Sequence, residues 1–216
     1  MLCQVKQTVS GLSASYEIIS DAEQIGSAEM PNNFLLGTPC DIFFKDTGFH
    51  LKYLPTLSGE RKKNKVNLRQ HLPYALTKDG KSYGKMYSAD SSGNIFTRFG
   101  YVCLELPDNT LFSMYTIGLG KDGIVYPIYR GDKLVAEIDK GCVVYNNLDA
   151  YSIFADDEEA CMVSVLFCIY LDAKSFANRG EIVKSGVSKV YLKTTNKRLI
   201  AKYDPAFKAR ILRQSV

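Results

Sequence analysis

Short runs of alternating or nearly alternating apolar residues, each closed by a turn signal, dominate the chain. Tyr115-Thr116-Ile117 and Tyr126-Pro127-Ile128-Tyr129 alternate or nearly so, and Phe49-His50-Leu51-Lys52-Tyr53 alternates throughout. Between such runs stand Thr38-Pro39, Asp46-Thr47-Gly48, Asp79-Gly80, Asp90-Ser91-Ser92-Gly93-Asn94, Pro107-Asp108-Asn109, Lys121-Asp122-Gly123 and Arg130-Gly131-Asp132. Gly supplies positive φ, and Asp or Asn bonds its own backbone, so these are turns with a mechanism. The pattern predicts an antiparallel β protein.

A looser repeat lies within it. Tyr16-Glu17-Ile18 leads through a polar turn at Asp21 to Ile25-Gly26, and Tyr126-Pro127-Ile128 leads through Arg130-Gly131-Asp132 to Leu134-Val135-Ala136. Tyr191-Leu192-Lys193 leads through Thr194-Thr195-Asn196 to Leu199-Ile200-Ala201. In each copy a Tyr stands nine residues before a β-branched residue that Gly or Ala follows. Each copy predicts a hairpin of two short strands around a polar loop.

One segment breaks the β pattern. Asp156-Asp157-Glu158-Glu159 precedes Ala160–Leu171, in which Ser164 is the one clearly polar residue. Acids at the front suit a helix N-terminus, where free N–H groups favour negative charge. A helix apolar all round is buried on every side. Twelve residues span about 18 Å, too little for a bilayer. A long central strand is the rival reading, because Val163, Val165 and Ile169 are β-branched; the acidic front and the length favour helix. A closed barrel with a helix through its middle satisfies both signals.

That combination resembles the tubby C-terminal-like superfamily, which includes the LURP-one-related proteins and the phospholipid scramblases. The likeness is carried by Tyr115-Thr116-Ile117-Gly118-Leu119-Gly120-Lys121-Asp122-Gly123 and by Tyr126 through Ile138. It continues through Asn146-Asn147-Leu148-Asp149-Ala150-Tyr151-Ser152-Ile153 into the apolar segment, while residues 14–45 fit more loosely as opening strands. The resemblance implies a mainly β fold: a closed antiparallel barrel of about twelve strands around a central hydrophobic helix. On this reading residues 1–172 form the barrel, with the helix at about 157–171. Residues 173–216 add a basic hairpin and a short helix packed on the same domain. The extension is a departure, since the helix of that superfamily lies at or near the domain end. The phosphoinositide-binding basic residues of tubby have no position-by-position match here, and none is carried over.

Composition adds limits. The 216 residues are 46% hydrophobic and 23% charged, ordinary for a globular chain. The start turns polar at Gln4, which gives no secretory h-region and points to a cytoplasmic protein. The six cysteines, at 3, 40, 103, 142, 161 and 168, form no Cys-x-x-Cys and read as small buried hydrophobes. Gly118-Leu119-Gly120-Lys121-Asp122-Gly123 matches G-x-G-x-x-G, but a strand with a proline follows where a dinucleotide site needs a helix. That motif reads as a tight turn. Nucleophile-elbow and kinase signatures are missing, and His50 and His71 stand alone, so no catalytic residue, cofactor or metal is assigned. A carboxylate pair brought together in space is invisible at this level.

Charge supplies the remaining handle. The chain carries +4, but residues 173–216 hold eleven Lys or Arg against two acids, or +9, which leaves −5 for residues 1–172. Asp204 as N-cap and Pro205 at the first helical position predict a short helix with Phe207 and Ile211 on one face. A basic amphipathic helix suits an anionic surface, and a docked helix with solvated charges is the plainer reading. The candidate anion-binding residues are Arg61, Lys62, Lys63, Lys65, Lys193, Lys197, Arg198, Lys202, Lys208, Arg210 and Arg213. The expected function is a non-enzymatic cytosolic module for anionic lipid headgroups or an acidic protein. Alternatives are a carrier or enzyme with a pocket at the barrel mouth, and a protein-interaction module. Nucleic acid ranks lowest, because few aromatics accompany the basic residues of the tail.

Overall fold

The structure is a computed structural model that describes residues 1–9, 13–32, 34–54, 71–94, 97–140, 143–144, 148–176, 188–189 and 192–214. The strands are β1 (Leu2–Val9), β2 (Ala14–Ser20), β3 (Glu23–Met30), β4 (Cys40–Phe44), β5 (Thr47–Tyr53), β6 (His71–Lys78), β7 (Lys81–Asp90) and β8 (Gly100–Glu105). They continue as β9 (Leu111–Met114), β10 (Ile117–Gly120), β11 (Ile124–Arg130), β12 (Lys133–Lys140), β13 (Val143–Val144), β14 (Ala150–Ala155), β15 (Ser188–Lys189) and β16 (Leu192–Lys193). The helices are α1 (Glu158–Leu171), α2 (Lys197–Ile200) and α3 (Phe207–Gln214).

Twelve of these strands close into an antiparallel barrel. From β1 each strand pairs with the next in the chain as far as β9, which pairs with β11; then β11 pairs with β12, β12 with β14, and β14 with β1. The alternation seen in the sequence sets the faces. In β2, Ala14, Tyr16 and Ile18 are buried in the core, and in β4 Cys40, Ile42 and Phe44 are, while Phe43 between them faces out. The predicted turns are in place. Asp79 and Gly80 take φ of 48° and 76°, the positive values that a two-residue hairpin turn requires.

The apolar segment is the helix α1, and all twelve residues from Ala160 to Leu171 are buried. It fills the barrel with side chains on every side, so no polar stripe is needed. Asp157 caps it, its side chain accepting from Ala160 N–H at 2.8 Å. Arg130 of β11 reaches Asp157 and Glu159, both at 3.0 Å, and so ties the acidic front of the helix to the wall. Cys3, Cys40, Cys103, Cys161 and Cys168 are free and buried, in keeping with the expected reading; Cys142 lies outside the described residues.

Two of the three repeat copies are hairpins, β2–β3 and β11–β12. The third is not. Leu192–Lys193 is a strand that pairs with β10, and the chain then enters α2. Asn196, read as a turn residue, is the N-cap of α2, and its side chain accepts from Arg198 and Leu199 N–H at 3.0 and 3.2 Å. The G-x-G-x-x-G stretch is the β10–β11 hairpin, as its tight-turn reading expects. Its first glycine has a packing reason: a Cβ on Gly118 would lie 2.2 Å from the Leu192 carbonyl oxygen.

Candidate functional site

The C-terminal residues 192–214 run as a strap across the outside of the barrel. Leu199 packs with Tyr115, Ile117 and Val125 of the outer wall. Phe207 and Ile211, fully buried, pack with Phe154, Leu2 and Leu134. The sequence places both on one helix face, and that face meets the barrel. Asn196 donates to Thr97 O at 3.2 Å, and Asp204 accepts from Ala206 N–H at 2.9 Å at the entry to α3.

The candidate basic residues divide into groups. Arg61, Lys62, Lys63 and Lys65 lie outside the described residues. Arg198, Lys202 and Lys208 are turned toward the barrel. Arg198 donates to Ser92 O at 2.7 Å and lies 5.9 Å from the Phe99 ring centre. Lys202 Nζ sits 4.7 Å from the Tyr129 ring centre and 5.1 Å from that of Tyr115. Lys208 pairs with Asp139 at 2.6 Å and lies 4.7 Å from the Phe154 ring centre. Lys193 and Lys197 are exposed.

Arg210 and Arg213 are exposed. With Gln214, Ala206 and Ala209 they line a solvent-open cavity of about 380 Å³. The two arginines stand three residues apart on one helix face, the spacing at which side chains are neighbours. Arg210 has a long contact to Asp204, at 3.5 Å, and covers the Phe207 ring. The cavity is lined mainly by carbon, so any donors for phosphate or carboxylate oxygens are the exposed guanidinium groups of Arg210 and Arg213 on the helix surface.

Two polar groupings were not foreseen. Under the strap, Glu137 of β12 is 1% exposed, and its Oε2 has no hydrogen-bond partner among the described residues. Burial, reinforced by Asp139 and Asp204 and opposed by Lys208, pushes its carboxyl up to about 7. Inside the barrel, at the C-terminal end of α1, Asp172 accepts from the Tyr16 and Tyr151 hydroxyls. Burial pushes Asp172 up to about 6, with the tyrosine hydrogen bonds and Lys140 opposing the rise. Close by, Lys140 pairs with Asp149, whose backbone N–H donates to Gln7 Oε1 at 3.1 Å. Strand alternation alone shows which face such residues take, not which of them a later segment covers.

Among the described residues no group of three or more His, Cys, Asp and Glu side chains gathers as a metal site would require. His50 pairs with Asp41 at 2.6 Å on the barrel surface. Comparison with protein-family models, with curated proteins and with solved structures gave no match to this chain.

Proposed function

We propose that the protein is a non-enzymatic binding module for anionic lipid headgroups at a membrane surface, and that the outward face of α3 is its contact. The observation that supports this reading is the pair of exposed guanidinium groups, Arg210 and Arg213, on a helix whose apolar face is already committed to the barrel. The proposal includes a relationship to the tubby C-terminal-like superfamily, whose expected architecture is a closed barrel around a central helix. It also includes a cytoplasmic, peripheral place of work; no described helix is long and apolar enough to cross a membrane.

The mode of binding follows from burial. Phe207 and Ile211 are not free to enter a bilayer, so attraction is electrostatic and salt-sensitive. Each cation near an anionic surface contributes about 1 kcal/mol. Replacing both Arg210 and Arg213 by Ala should therefore weaken binding about tenfold or more. The test is co-sedimentation with phosphatidylglycerol vesicles at low salt, with phosphatidylcholine vesicles as control. Wild type should pellet with the anionic vesicles alone and lose them as salt is raised. No binding at low salt, or equal binding by the double variant, overturns the proposal; retention by an acidic protein with no vesicle binding does so too, in favour of a protein partner.

A further inference from the structure

We infer that the cleft between Tyr115 and Tyr129 on the barrel wall is a binding site for an ammonium group, and that the chain's own Lys202 fills it. The inference is independent of the headgroup proposal, since it concerns a different face and a ligand of opposite charge.

Two features of the cleft support it. The first is how the Lys202 charge is met. Among the described residues no carboxylate pairs with its Nζ; the partners are the ring faces of Tyr129, at 4.7 Å, and Tyr115, at 5.1 Å. The two rings stand nearly perpendicular, at 86°, with centres 5.6 Å apart, so that two walls face one cation. Ring faces carry the negative lobe of the aromatic quadrupole, and such cages select ammonium groups.

The second is where the parts come from. The rings belong to the barrel and the cation to the strap. Tyr129 lies on β11, and the Tyr115 N–H bonds Pro127 O at 3.0 Å, which fixes its backbone to the same strand. Tyr101 of β8 stacks on Tyr115 at 5.4 Å, and Phe99 meets Tyr115 edge-on at 6.0 Å. These neighbours hold the Tyr115 ring through contacts that do not involve Lys202, and a wall so held lowers the ordering cost of binding. Tyr129 also donates its hydroxyl to Lys202 O at 3.0 Å and thus marks the position of the strap backbone. The lysine is a tethered competitor, and any ammonium ligand must displace it.

The test uses the full chain and two soluble probes, tetramethylammonium and butylammonium, followed through the ring signals of Tyr115 and Tyr129 by NMR. Lys202→Ala empties the cleft and should bind a probe about tenfold more tightly than wild type. Lys202→Met fills it without a charge and should bind no better than wild type. Preference for tetramethylammonium would assign a quaternary headgroup-like ligand, and preference for butylammonium a lysine-like one; either supports the site. Lys202→Ala with no saturable change at those rings overturns it, as does equal binding by Lys202→Met. A second substitution, Tyr129→Leu, keeps apolar bulk and removes the ring face. It should abolish the gain of Lys202→Ala, and retention of that gain overturns the assignment.

Discussion

At the scale of single residues, Glu137 behaves against the usual expectation for a carboxylate in a stable protein. Its ordinary value of 4.5 is raised to about 7, burial being the main cause. The folded state therefore favours the protonated form. The associated stability is complete below about pH 4.5 and is lost as pH rises through about 7. Asp172 adds a loss of the same sign, from its ordinary 3.8 to about 6. A full pK unit is about 1.4 kcal/mol, so the rise at Glu137 costs on the order of 3 kcal/mol. Glu137→Gln keeps the shape and removes the charge. Denaturant melts should show it more stable than wild type by about that amount at pH 8, with no gain at pH 4. A loss at both pH values would show instead that the carboxylate makes a needed hydrogen bond.

At the scale of elements, α1 shows what a cap contributes when packing is complete. Asp157 accepts from Ala160 N–H and holds Arg130, whereas its neighbour Asp156, itself 20% exposed, pairs with Lys133, whose side chain is 70% exposed. Asp157→Ala should cost about 1–2 kcal/mol and Asp156→Ala less than about 0.5 kcal/mol, read from thermal and denaturant unfolding. Equal losses would mean that the acids act by general charge rather than by capping. This helix was legible in the sequence because an acidic front and twelve apolar residues admit few other solutions. The hairpins β2–β3 and β11–β12 were legible for a similar reason, since their turn residues sit between alternating runs. Thr194-Thr195-Asn196 was misread because Asn serves turns and N-caps through the same side-chain hydrogen bond to backbone N–H. Of the candidate site, the basic residues and the Phe207–Ile211 face were visible. Their division into inward and outward groups was not, for it depends on Tyr115, Tyr129, Asp139 and Phe154, which stand far away in the chain.

At the scale of the whole molecule, the split between a body of −5 and a tail of +9 has an internal destination. Lys208 answers Asp139, and Arg198 and Lys202 lie on aromatic faces, so part of the charge excess fastens the strap. The twelve-strand ring closes through β11–β12, β12–β14 and β14–β1 without a strand from residues 192–214. The strap should therefore come away before the barrel opens. Phe207 is its largest fully buried anchor, beside Phe154, and truncating a buried Phe costs about 3–5 kcal/mol. A four-residue and an eight-residue helix have little stability of their own without such packing. Phe207→Ala should thus leave the β-sheet circular dichroism and the main unfolding midpoint close to wild type. Meanwhile trypsin should cut rapidly at the newly freed Lys and Arg residues between Lys197 and Arg213. If the variant instead loses the barrel signal together with the strap, the two form one cooperative unit, and the strap is a structural part of the barrel rather than a separable layer on it.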